Sequence, residues 1–267
     1  MLNSFFTKVL AGTVLTFLLG PWAWAQNTTT EVANEIAPSG KLRAVINLGN
    51  PILARQDPAT REPVGVSVDL AQALAKRLNL PLTLIQVDSA AKSVQAVTQG
   101  QADIGFFAID PVRGSGIAFT PAYVLIEGSY LVKQDSPLTS NAQVDQAKNH
   151  VVVGLGSAYD LFLSRELKQA QLVRAPTSPQ VVPLFIKGAY DVAAGVKQQL
   201  ESDAAKTPGL RLLPGRFMVI EQAMGQSTNT SQRAQDALTE FIMDMKLNGF
   251  IHESISRHQI DGAIVAP

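Results

Sequence analysis

Ser67-Val68-Asp69-Leu70-Ala71-Gln72-Ala73-Leu74-Ala75-Lys76-Arg77-Leu78-Asn79-Leu80-Pro81-Leu82-Thr83-Leu84-Ile85-Gln86-Val87 changes its hydrophobic period part-way along. From Ser67, a hydroxyl suited to capping, Leu70, Leu74 and Leu78 recur on one helical face beside Ala71 and Ala75, and Asn79 with Pro81 ends the helix. Leu82 to Val87 is then a strand. Outward from this unit, Leu42 to Ile46 is a strand, a short helix carrying Val94 and Val97 stops at Gly100, and Asp103 to Phe107 makes a third strand. Returns this long do not make hairpins, so the strands should pair in parallel through helical crossovers, which defines an α/β fold.

The pattern restarts after the polar stretch Lys133 to Asn149. Strand Val151 to Val153, a helix from Ser157 to about Ala170, strand Leu172 to Arg174, a helix near Pro179 to Lys187 and strand Asp191 to Ala194 form a second α/β unit. Ser157 followed by Asp160 is a variant capping box. Leu210 to Gln222 is again strand-like, and Ser231 opens the longest helix, with Ala234, Ala237, Leu238, Phe241, Ile242 and Met245 on one stripe and Gly249 as its stop.

The 267 residues are 46% hydrophobic and 16% charged, with 22 Lys+Arg against 22 Asp+Glu, a composition that folds and offers no basic surface for nucleic acid. At the start, Lys8 precedes the apolar run Val9 to Leu19, and Ala23-Trp24-Ala25 gives a small-residue cleavage pattern. Residues 1–25 are therefore expected to be a secretory signal peptide, with the run too short for a spanning helix. Residues 26–39 read as a flexible polar leader. Zero Cys excludes a disulfide framework, a thiolate metal site and a lipid-modified N-terminal Cys, so the expected product is periplasmic and unanchored.

Motifs for chemistry are weak. Gly154-Leu155-Gly156-Ser157 lacks the last glycine of a dinucleotide loop, because Tyr159 occupies that place, yet the backbone N–H groups of Gly156 to Ala158 at a helix start favour an anion. His150, His252 and His258 have no metal-ligand spacing, and Ser115 lacks the leading glycine and strand of a nucleophile elbow. No metal or cofactor is expected.

In order, the chain carries Gly40-Lys41-Leu42-Arg43, Gly65-Val66-Ser67-Val68-Asp69-Leu70-Ala71, Gly100-Gln101-Ala102-Asp103, Arg113, Phe119-Thr120-Pro121-Ala122-Tyr123, Gly156-Ser157 and Gly188-Ala189-Tyr190-Asp191. In these segments it resembles the bacterial extracellular solute-binding proteins of family 3, over about Gly40 to His258. The resemblance implies a two-lobed, type II periplasmic-binding-protein-like fold whose two crossover strands form a hinge. It places the crossovers near Leu131 to Gln134 and Pro214 to Gln222, with 40–131 plus 217–267 as one lobe and 132–216 as the other. It further implies a monomer that closes on a small-molecule ligand and delivers it to an ABC permease in the inner membrane.

By the same resemblance, Arg113 falls where an arginine pairs with the ligand's carboxylate, and Gly156, Ser157 and Ala158 match the second carboxylate contact, Ala158 replacing a usual Thr. Departures bear on the ligand. Phe106 and Ala108 share a strand face that in the family commonly carries hydroxyls, and Val196 stands where an acid usually neutralises the α-ammonium. Glu127 is either a substitute for that acid or a solvated strand carboxylate. Asn47 and Asn50 follow the first strand in place of a stacking aromatic, either as amide donors to ligand or as turn residues. Two other roles fit such a scaffold: a dehydratase acting on prephenate or arogenate, with Asp160 as acid/base, and a ligand sensor.

Overall fold

The structure, a computed structural model, describes residues 30–267. The expected signal segment, 1–25, lies outside the described residues. A helix over 30–36 (α1) puts Ala33, Ile36 and Ala37 into the core of the first lobe. That corrects the reading of 26–39 as a flexible leader wherever it is described: the apolar side chains are few but spaced to fall on one helical face.

The first lobe follows with Leu42–Asn47 (β1), the short pair Arg55–Gln56 (β2) and Pro63–Val64 (β3), Val66–Leu78 (α2), Leu82–Val87 (β4), Ala90–Thr98 (α3), Gly105–Ala108 (β5) and Ile117–Phe119 (β6). β1 pairs in parallel with β4, Leu42 opposite Leu82, and Ala44 bridges in parallel to Ile104. Parallel pairing is thus as expected. α2 buries Leu70, Ala71, Leu74, Ala75 and Leu78 and ends at Asn79 in the left-handed conformation, φ 53°. Its cap, however, is Gly65, not Ser67. At φ 133° a Cβ on Gly65 would lie 2.4 Å from the Leu53 carbonyl oxygen, so glycine sets the helix start and Ser67 is buried inside it.

Val124–Lys133 (β7) leads into the second lobe: His150–Gly154 (β8), Ala158–Glu166 (α4), Gln171–Ala175 (β9), Val181–Lys187 (α5), Val192–Val196 (β10), Lys197–Lys206 (α6) and Leu210–Leu212 (β11). β8 lies between β9 and β10, parallel to both. α4 is shorter than expected. The Asp145 carboxylate accepts the backbone N–H groups of Lys168, Gln169 and Ala170 at 2.8–3.1 Å, drawing the chain out of the helix and holding the acid's pKa below its usual range.

The return runs through Met218–Ser227 (β12) to Gln232–Leu247 (α7), Phe250–Arg257 (α8) and Ile264–Val265 (β13). Ser231 caps α7 by accepting the Ala234 N–H at 3.1 Å. β7 and β12 pair antiparallel from Met218↔Gly128 to Gln222↔Val124 and join the lobes. Val124 and Ile126 belong to the first lobe's core, whereas Tyr130, Leu131 and Val132 pack with the second lobe. The outgoing crossover therefore lies at Glu127–Ser129, ahead of the 131/132 boundary expected from sequence. Met218 touches both cores and marks the return. The apolar runs Tyr123 to Ile126 and Tyr130 to Val132 look alike, since each fully buried large side chain is worth about 1.5–3 kcal/mol in either core, and only the interruption Glu127-Gly128-Ser129 marks the change of partner.

Candidate ligand site between the lobes

The end of β5 delivers Phe106 and Ala108 to the cleft, and the next turn delivers Arg113. Asp110 Oδ1 accepts the Val112 N–H at 2.8 Å, and the chain then makes a single 3-10 turn at Arg113–Ser115. Arg113 is only 5% exposed. Its Nη1 donates to the Ala108 carbonyl at 3.0 Å in the first lobe, and its Nη2 donates to the Gly156 carbonyl at 2.8 Å in the second. Burial pushes its pKa down to about 10, with nearby Asp110 opposing, so the group remains a cation at neutral pH.

Asp110 does not neutralise that cation by contact. Its Oδ2 accepts from Arg165 of α4 at 2.9 Å, a second bridge between lobes. Among the described residues Arg113 has no ion-pair partner. A desolvated guanidinium satisfied only by carbonyls is costly unless an anion joins it.

Opposite stands the start of α4. The sequence offered three donors there, but the Gly156 N–H is taken by Asp160 Oδ2 at 2.9 Å and the Ser157 N–H by the Gly154 carbonyl at 3.0 Å. Ser157 Oγ is itself occupied, accepting the Asp160 N–H. Ala158 opens the helix, where the first N–H groups lack an intrahelical acceptor, and lines the cavity. Gly156 has φ 66°, and a Cβ there would stand 3.0 Å from Ala91 of α3, which makes this a place where the lobes touch.

Together these elements border a partly open cavity between the lobes. Asn47, Asn50, Phe106, Ala108, Arg113, Ser157 and Ala158 all line it. Asn47 keeps a turn role as well, its Oδ1 accepting the Gly49 N–H at 2.9 Å. Asn50 Oδ1 is buried and accepts no hydrogen bond from the described residues, so a donor is wanted at that point. Phe106 packs edge-on against Tyr123 at 6.2 Å between ring centres, which keeps the floor apolar.

Glu127 is not among the lining residues. It accepts from Arg216 at 2.6 Å and Lys197 at 3.2 Å, and these partners hold its pKa below the usual range. The idea that it replaces the missing ammonium acid is thereby corrected: cations 70 and 89 residues away claim it at the hinge. Asp160, 3% exposed, is likewise committed, receiving Arg174 Nε at 3.0 Å, Ser164 Oγ and the Gly156 N–H. Sequence reasoning missed Gln222, which pairs opposite Ala108 and lines the cavity, and all of α6, which contributes Gln199, Leu200 and Asp203. A signal for the latter was present, since these positions follow Val196 at helical spacing.

The family model for the bacterial extracellular solute-binding proteins, family 3, matches residues 43–259. The chain belongs to that family. Family 3 architecture recurs in solved structures of low identity. A putative ABC-transporter binding component from Wolinella succinogenes, complexed with lysine, is 20% identical at TM-score 0.70, covering 82% of this chain and 95% of that one. A cysteine-binding protein from Campylobacter jejuni is 16% identical at TM-score 0.74, covering 88% and 98%. The ancestral amino acid-binding protein AncCDT-1, a precursor of cyclohexadienyl dehydratase, is 19% identical at TM-score 0.70, covering 84% and 98%. No curated protein matches the chain. As a family 3 member it is a solute-binding protein.

Proposed function

We infer that this solute-binding protein captures a small carboxylate-bearing solute, an amino acid or a related organic acid, and delivers it to an ABC permease in the inner membrane. The observation that carries this reading is Arg113: a buried guanidinium lining the cavity, without an acidic partner among the described residues. A ligand carboxylate supplies the missing charge, and the Ala158 N–H supplies a donor for its second oxygen. Closure brings Gly156 and Arg165 onto the Arg113 side, so the ligand is sealed by contacts that exist only when the lobes meet. The protein acts in the periplasm after removal of residues 1–25, as a monomer, with the bend at 127–129 and 217–218.

Binding rather than turnover is favoured. The acid that a dehydratase reading needs, Asp160, is held by Arg174, Ser164 and the Gly156 N–H and does not line the cavity. The test is mass spectrometry of small molecules released by denaturing purified protein, followed by calorimetry of the released compound against the parent and Arg113→Ala. A retained carboxylate that the variant no longer binds is the expected result. A released ligand with no acidic group, or turnover of prephenate by purified protein, overturns the reading.

A further inference from the structure

α6 enters the cleft at its start and stays there for two turns. Val196, its cap, lines the cavity, and Gln199, Leu200 and Asp203 follow at the third, fourth and seventh positions, one helical face. Asp203 is the acidic side chain among the described lining residues. Its Oδ1 accepts Gln199 Nε2 at 2.9 Å, which fixes the carboxylate against the helix and leaves Oδ2 open. Of the cations on the same helix, Lys197 is engaged with Glu127, and Lys206, one turn on, forms no ion pair with Asp203.

The cavity thus has a cation at Arg113, an acid at Asp203, and an apolar lining that includes Phe106, Ala108, Val196 and Leu200. Seven residues of helix rise about 10 Å, so Asp203 stands well along α6 from position 196. Val196 offers no charge to an amine near the start of α6, whereas an amine carried further along the helix at the end of an aliphatic spacer has the Asp203 carboxylate to meet. We propose that Asp203, positioned by Gln199, is an amine subsite, and that the ligand is a carboxylate whose protonated amine lies at the far end of an unbranched apolar chain. This rests on the reading that Arg113 holds the carboxylate.

Three six-carbon acids differing only in the amine test it by calorimetry: hexanoate, 2-aminohexanoate and 6-aminohexanoate, each against the parent, Asp203→Asn and Arg113→Ala. The parent is expected to bind 6-aminohexanoate about tenfold tighter than either other probe, as a charge-assisted hydrogen bond provides. Asp203→Asn should erase that advantage, weakening 6-aminohexanoate about tenfold more than hexanoate. Preference for 2-aminohexanoate, equal weakening of all probes by Asp203→Asn, or no binding of 6-aminohexanoate overturns the amine subsite. Loss of hexanoate binding in Arg113→Ala with no effect of Asp203→Asn leaves the carboxylate reading standing and removes this one. Unchanged binding in Arg113→Ala removes the carboxylate reading itself.

Discussion

Two charge clusters bridge the lobes, and each sets one carboxylate against two cations. At the hinge Glu127 meets Lys197 and Arg216; at the cleft Asp110 meets Arg165 with Arg113 beside it. They differ in burial. Glu127 is 28% exposed and its partners 38% and 55%, so water and salt take up the surplus charge. At the cleft the Asp110 side chain is 5% exposed, and its surplus cation, Arg113, is buried too. The hinge cluster also sits on strands already paired around Gly128, with Val196 and Met218 opposite it, and so survives opening. The cleft cluster joins elements of different lobes, and in the proposed function they part when the cleft opens. Equal charge therefore serves a joint at one end and a ligand seat at the other.

The sharpest way to break this comparison is Arg113→Ala. Truncating one partner of a buried charge pair costs ~3–5 kcal/mol, so calorimetry should show carboxylate affinity falling by roughly two to three and a half decades. The unfolding temperature without ligand should barely change, because the group removed has no acidic partner to lose. Next is Arg165→Ala, which removes the pair across the cleft without touching the cavity. With Arg165 41% exposed, the loss is nearer that of a surface pair, about 1 kcal/mol or fivefold in Kd for every ligand alike, and scattering should show a less compact liganded state. Gly156→Ala strains a left-handed residue, which at roughly 1 kcal/mol should lower the unfolding temperature with or without ligand, and presses a methyl on Ala91 across the cleft, which should weaken binding by an amount of the same order.

Smallest is Glu127→Gln. Because the folded pKa of Glu127 is depressed, first by Arg216 and then by Lys197, its contribution to stability is present above the unfolded carboxylate pKa and is lost as pH falls through the folded value. The variant should lose under about 1 kcal/mol at neutral pH and progressively less as pH falls through the folded value, while ligand affinity stays at the parent value. Denaturant titrations at neutral and acid pH, paired with calorimetry, check both halves.

Where the sequence carried its own period, the fold was legible. α2 and β4 follow directly from Leu70, Leu74, Leu78 and the run after Pro81, and α7 from its apolar stripe behind Ser231. α6 and α8 escaped because little of either is apolar and buried: Leu200 alone in α6, and Ile251 and Ile255 with Ser254 in α8. At the site, Arg113 was legible only through the order of motifs around it, since a lone arginine carries no pattern. The misreadings share one physical cause. Whether Glu127 or the Gly156 N–H is free depends on which side chain claims it, and hydrogen bonds to Lys197, Arg216 or Asp160 form in space regardless of local pattern.

β13 pairs with β7 at Ile264↔Leu125 and Val265↔Val124, on the stretch just ahead of the bend. With β12 also paired to β7 there, the strand is splinted up to Leu125, while beyond it Gly128 packs so close to Met218 and Phe217 that a Cβ would lie 2.7 Å from the former. Mechanically the joint is then a short flexure between two stiffened beams, able to bend about the ribbon's width and poorly able to shear or twist. In the proposed closure, a few degrees at the flexure would become ångströms at Arg113 and Gly156, and the lever would return both groups to the same register each time it shut.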